Sequence, residues 1–343
     1  MNAREARGVA VAATLFLLVQ VGALAMVGPF ETAGYQAVED PSDPTNSLVY
    51  FVAILVATGA MLAAFKYAFE RAVRAVVVLS SALVSWYVFG VVAPPLLVVG
   101  AVNVLAVALS IGVAVALLVY PEWYVIDGAG VVMGIGAGAL FGISFGLLPA
   151  IVLLSVLAVY DAISVYGTRH MLSLAEGVMD LRVPVILVVP LSLSYSLLAD
   201  DFEGANEVHE DADAAADGDG EEGTDTDGDR EGDAETAVAD ADRDAFFIGL
   251  GDAVMPTVMV ASGAFFSPAP SLGVAALPAL NFPALLAMVG TFLGLGVLLW
   301  AVMKGRAHAG LPLLNGGAIG GYLLGSVLAG VPVVRALGLA PYL

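Results

Sequence analysis

Two aspartates, Asp161 and Asp252, stand inside otherwise apolar stretches of a 343-residue chain. Ionisable side chains in such stretches are costly to bury and mark places where chemistry is done. Two carboxyls sharing a low-dielectric site do not both ionise cheaply, so one keeps its proton and the pair titrates as a unit. The ionised member then takes a proton from water while the protonated one polarises a carbonyl, which is the general acid/base arrangement of an aspartic protease. The same pair suits a proton or sodium relay in a transporter, or a buried structural pair. Spacing alone gives protease and transporter comparable weight. Asp127, the remaining intramembrane candidate, falls at the edge of its apolar stretch and reads as an interfacial anchor in reach of water.

The elements that position these residues follow from composition. Sixty per cent of the chain is hydrophobic, 13% is charged, and the mean hydropathy is +0.93. A soluble domain carries about a quarter charged residues, so most of this chain is solvated by lipid. A span needs about 20 mostly apolar residues, and nine stretches qualify: 8–28, 47–65, 75–92, 96–120, 126–145, 149–167, 245–266, 282–303 and 309–330. Pro94-Pro95 separates the third from the fourth. Segment 183–199 is apolar but short and interrupted by prolines, and reads as a partly buried or re-entrant piece. The expected fold is an all-α polytopic membrane protein of nine transmembrane helices.

With nine spans, eleven of the twelve basic residues fall on one side and Arg335 alone on the other. Basic loops stay in the cytoplasm, so the N-terminus is expected inside and the C-terminus outside. Asp161 lies six residues before the inner end of span six and Asp252 seven residues into span seven. At ~1.5 Å per residue both carboxyls sit roughly 9–10 Å below the inner surface.

The net charge of −20 is local. Twenty of the 32 acids lie between Asp200 and Asp244, against Arg230 and Arg243. Such a stretch buries too little apolar surface to order itself, and is expected to be a disordered loop. It divides the chain into an N-terminal membrane region (residues 1–199), the loop itself (200–244) and a C-terminal membrane region (245–343). Its aspartates lack the closing Glu of a calcium loop. The rest of the chain is near neutral, with no nucleic-acid footprint. No cysteine is present, which excludes disulfide and thiolate chemistry. Two lysines among so many acids suit an organism living at high salt.

The flanking residues separate the two readings of the dyad. Tyr160 precedes Asp161, and Gly249-Leu250-Gly251 precedes Asp252, giving YD and GxGD. Glycines there let another helix or an extended backbone approach closely. Pro256 cannot donate to the Asp252 carbonyl, which loosens the helix one turn on. YD in the sixth span, GxGD in the seventh and a long hydrophilic loop between them resemble the presenilin and signal peptide peptidase family of intramembrane aspartyl proteases, most closely its archaeal branch.

That resemblance implies Asp161 and Asp252 as catalytic, no metal or organic cofactor, transmembrane peptides as substrates within the bilayer, and no obligatory protein subunit. It also implies a PAL motif at the inner end of span nine. The literal matches, Pro278-Ala279-Leu280 and Pro283-Ala284-Leu285, precede span eight on the outer side. The position that fits is Ala309-Gly310-Leu311-Pro312, with Gly310, Leu311 and Pro312 as candidate support for the site. The run Arg182–Pro190 is β-prone and is read either as a strand that pairs with an unwound substrate or as an apolar interfacial segment.

Other patterns fail. Gly142-Ile143-Ser144-Phe145-Gly146 matches a serine-nucleophile motif, yet all three histidines fall in inner loops far from Ser144. No HExxH is present. The series Gly130/Gly134/Gly138 and Gly317/Gly321/Gly325 have the spacing that packs helices. Two alternatives remain, an ion-coupled transporter using the same aspartates and a prepilin-peptidase-type GxGD protease.

Overall fold

The computed structural model describes residues 3–67, 69–100, 102–168, 183–191, 195–198, 245–304 and 309–342. The acidic stretch 200–244 and the flanking Arg169, His170, Arg182, Arg306 and His308 lie outside the described residues.

Among the described residues nine apolar helices follow one another in the expected order. Seven are long and apolar enough to cross a membrane. These are α1 (Ala3–Thr32), α2 (Thr45–Lys66), α3 (Glu70–Val92), α5 (Trp123–Ser144), α6 (Leu147–Ile163, extended by a π-helical turn Ser164–Thr168), α8 (Phe282–Val302) and α9 (Gly310–Leu328). The other two, α4 (Val104–Val119) and α7 (Leu250–Phe266), have 16 and 17 residues.

Both short helices correct the hydropathy reading. Residues 96–120 do not form one span. Val98–Val99 (β1) pairs antiparallel with Val102–Asn103 (β2) around Gly100 at φ +64°. The Asn103 side chain then accepts from Leu105 N–H and starts α4. Residues 245–266 are likewise divided. Ala245–Gly249 (β4) pairs antiparallel with Ile186–Pro190 (β3), and α7 begins only at Leu250. Hydropathy cannot see this division, because β4 depends on a partner some 60 residues earlier in the chain. Segment 183–199 is thus no span: its first half contains a strand, with Leu187, Val188 and Val189 fully buried.

The main core is built by α6, α7, α8 and α9, with α1 against them. Glycines allow the closest approaches. In α8 and α9, a Cβ on Gly290 would overlap the Gly317 carbonyl, and one on Gly321 the Leu286 carbonyl. The α5 stripe receives other elements: Gly134 faces Val19 of α1 and Leu250, Gly138 faces Thr257 of α7, and Gly142 faces Ala261. Both glycine series therefore mark close packing, against helices at every member but Gly130, which faces Leu187 of β3. Ser144 donates nothing to catalysis, since its hydroxyl accepts from Ala37 N–H at the opposite end of the bundle from the aspartates.

Candidate active site

Three helix ends converge at one end of the bundle. Asp161 lies in the last turn of α6 and is only 5% exposed. Asp252 is the third residue of α7, partly exposed, one turn into the helix rather than two because five residues of the expected span form β4. Both carboxyls lie against one short segment, Gly310-Leu311.

The start of α9 joins them. Leu311 N–H, one of the first-turn groups that a helix leaves without an internal partner, donates to Asp161 Oδ2 at 3.0 Å. Its neighbour Gly310 lies against the other aspartate: a Cβ there would stand 3.0 Å from Asp252 Oδ2. The segment Ala309-Gly310-Leu311-Pro312 therefore touches both carboxyls, as its sequence position suggests. Pro312 falls in the first turn, where a missing N–H costs no internal bond. The two literal Pro-Ala-Leu matches sit at the far end, where Asn281 caps α8 at Ala284 N–H.

The GxGD residues divide their work. Gly249 lies beside the carboxyl, with a Cβ 3.6 Å from Asp252 Oδ2, whereas nothing stands within 4 Å of one on Gly251. Leu250 is buried and points into the α5 groove at Gly130 and Gly134. That explains the intervening Leu: it anchors the start of α7, while the glycines keep the carboxyl approachable. Tyr160 packs edge-on against Phe51 of α2, with ring centroids 6.1 Å apart.

Several contributors carry no motif. Tyr166 in the π-helical turn accepts from Ala309 N–H at 3.3 Å. Asn315 donates to the Leu154 carbonyl and ties α9 to α6. An Asn inside an apolar span is the one sequence signal that marks it. Asp127 is buried, not an interfacial anchor: its carboxylate accepts from Val188 N–H of β3 at 2.7 Å.

Glu122, just before α5, forms a second clamp. Its carboxylate accepts from Ser196 Oγ, Leu197 N–H and Trp123 N–H, while Trp123 Nε1 donates to the Tyr195 carbonyl. Burial pushes the Glu122 carboxyl up, but these hydrogen bonds outweigh it and hold it below the usual glutamate range. A depressed folded value means that the clamp's stabilisation is present above the unfolded value and is lost as pH falls through the lower folded one. Trp123 fluorescence should therefore change on acidification below the ordinary glutamate range, and Glu122→Gln should abolish that transition. An unchanged acid transition in the variant would assign it to another group.

The comparisons with known proteins agree with this geometry. A family model described as signal-peptide peptidase, presenilin aspartyl protease matches residues 13–331. No curated protein matches significantly. Among solved structures, a presenilin family intramembrane aspartate protease in a C222 crystal form is 29% identical, with 93% of this chain and 99% of that chain covered and a TM-score of 0.59. One in a P2 form is 30% identical over 92% and 96% of the two chains, with a TM-score of 0.56.

Proposed function

Since the chain belongs to the signal-peptide peptidase and presenilin family of aspartyl proteases, and is thus a multi-pass intramembrane hydrolase, we propose that Asp161 and Asp252 are its catalytic pair. The observation that carries this reading is the start of α9, whose adjacent residues Gly310 and Leu311 contact one carboxyl each. Neither the transporter nor the prepilin-peptidase alternative is favoured by a family match over nearly the whole chain.

The mechanism follows from the pair. Water enters between the carboxyls, the ionised one takes its proton, and the oxygen adds to the scissile carbonyl polarised by the protonated one. The tetrahedral adduct collapses as the C–N bond breaks and the amine leaves with a proton from the dyad. Leu311 N–H occupies one oxygen of Asp161 and so fixes the carboxyl's orientation. A substrate helix must unwind first, because its own hydrogen bonds shield the peptide. The β3–β4 sheet leads directly to Gly249 and supports strand pairing with the unwound segment.

The substrates are transmembrane helices or remnant signal peptides, and the chain acts without an obligatory partner subunit. The aspartate end faces the cytoplasm, as the basic residues indicate, with the acidic loop between the two membrane regions. Its lysine-poor, acid-rich composition supports the archaeal branch. The test is reconstitution of the purified chain in liposomes with a transmembrane peptide in oxygen-18 water. Cleavage with label in the new C-terminal carboxylate is expected, and intact peptide together with proton-coupled flux would reverse the reading.

Gly310 gives a finer test. The family motif has Ala at this position, and a methyl 3.0 Å from Asp252 Oδ2 needs a shift of only a few tenths of an ångström. Gly310→Ala is expected to keep cleavage within several-fold, whereas the branched side chain in Gly310→Val displaces the carboxyl. A misplacement near 1 Å costs on the order of 10²-fold, and equal rates in the two variants would separate Gly310 from the dyad.

A further inference from the structure

Asp127 takes no part in the chemistry above, yet it is an acid buried inside a transmembrane helix with its carboxylate on the backbone of β3. The strand register shows which edge it holds. Leu250 N–H donates to the Val185 carbonyl at 2.7 Å, just outside the pair Ile186–Gly249. That pair is therefore a wide, non-hydrogen-bonded one, and by alternation so are Val188–Phe247 and Pro190–Ala245. Backbone groups in such pairs point away from the partner strand. Val188 N–H thus points outward, and Asp127 meets it. Pro190, at the next outward position, has no N–H to offer. Of the three outward positions on β3, one is occupied by α5 and one lacks a donor. The contact is reinforced at Gly130, where a Cβ would stand 2.9 Å from Leu187 Cδ2.

We propose that Asp127 is a positioning residue for cleavage: it pins β3 to α5, occupies the outer edge of β3 at Val188, and sets the position of β4 and hence of Asp252. An extended substrate segment then joins the sheet at β4, in one register relative to the dyad. This rests on the reading of Asp161 and Asp252 as the catalytic pair. The chain of contacts is continuous, from Asp127 to Val188, across the β3–β4 ladder to Gly249, and one turn on to Asp252.

The experiment uses the full chain in liposomes with a transmembrane peptide, and reads kcat, KM and the fragment ends by mass spectrometry. Asp127→Ala is expected to lower kcat about tenfold or more, KM less, and to spread cleavage over neighbouring bonds. Asp127→Asn, which keeps an oxygen acceptor, should restore the single cleavage position and a rate within about threefold. Lost folded protein alone lowers the active fraction but leaves the cleavage position unchanged. If Asp127→Ala does not fold, Asp127→Ala with Val188→Pro removes acceptor and donor together and should give the same spread. Wild-type rate and position in Asp127→Ala, or spread cleavage in Asp127→Asn, would overturn the assignment. Undiminished cleavage in Asp161→Ala or Asp252→Ala would instead remove the dyad on which the proposal stands.

Discussion

Asp161→Ala and Asp252→Ala each abolish cleavage of a transmembrane peptide while the helix bundle stays folded. General acid/base catalysis by one positioned group is worth roughly 10²–10⁴-fold, and here neither carboxyl works without the other. The alanine variant at Asp161 confounds two effects, because Leu311 N–H loses its acceptor and the start of α9 is left untied. Asp161→Asn separates them. The amide oxygen still accepts from Leu311, so thermal stability should match wild type, while the proton-transfer role is gone and activity falls as far as in the alanine variant. Asp252→Asn should behave alike, with the neighbouring glycines leaving room for the amide. Cleavage retained in either asparagine variant sinks the dyad assignment, whatever the stability shows.

The second large effect lies in the α8–α9 contact. Gly317→Ala or Gly290→Ala should destabilise the protein, against the usual direction. In an ordinary helix interior Gly→Ala stabilises by about 1 kcal/mol. Here a methyl on either residue meets the other's carbonyl, and neither backbone can turn aside. Overpacking of this kind costs about 1–3 kcal/mol. Gly316→Ala and Gly320→Ala are the controls, since open space surrounds both positions. Because α9 begins with Gly310 and Leu311, a displaced α9 also loosens Asp161, and cleavage should fall with stability. Thermal unfolding in detergent reads the effect, and a Gly317→Ala protein as stable as Gly316→Ala would show that the helices do not meet there.

Much of the architecture was legible because lipid imposes a simple rule. A chain with no water to satisfy its backbone must form helices where it is apolar for long enough. The order of the nine helices, the placement of Asp161 and Asp252 at one end and the position of the PAL-like segment all followed from that rule together with short motifs. Gly130, Gly134 and Gly138 were legible as packing positions from spacing alone, though not what they would pack.

The errors share one cause. Hydropathy treats 96–120 and 245–266 as uniform, whereas Asn103 as a cap and β3 as a partner divide them. Strand pairing is a long-range interaction with no local signature in an apolar run. For the same reason Asp127 looked like an interfacial anchor: nothing near it in sequence reveals that Val188, 61 residues on, brings it an N–H.

The sequence by itself determined that this is a lipid-embedded chain with two carboxyls inside apolar stretches, one of them, Asp252, preceded by glycines that keep it approachable. Those properties are carried by residue type and spacing along single helices. Only the tertiary structure decided that one helix start, Gly310-Leu311, serves both carboxyls, that Leu250 is the anchor within GxGD, and that Tyr160 packs on Phe51 of α2. These depend on how separate helices rotate against one another, and that rotation is set by close packing among side chains distant in the chain.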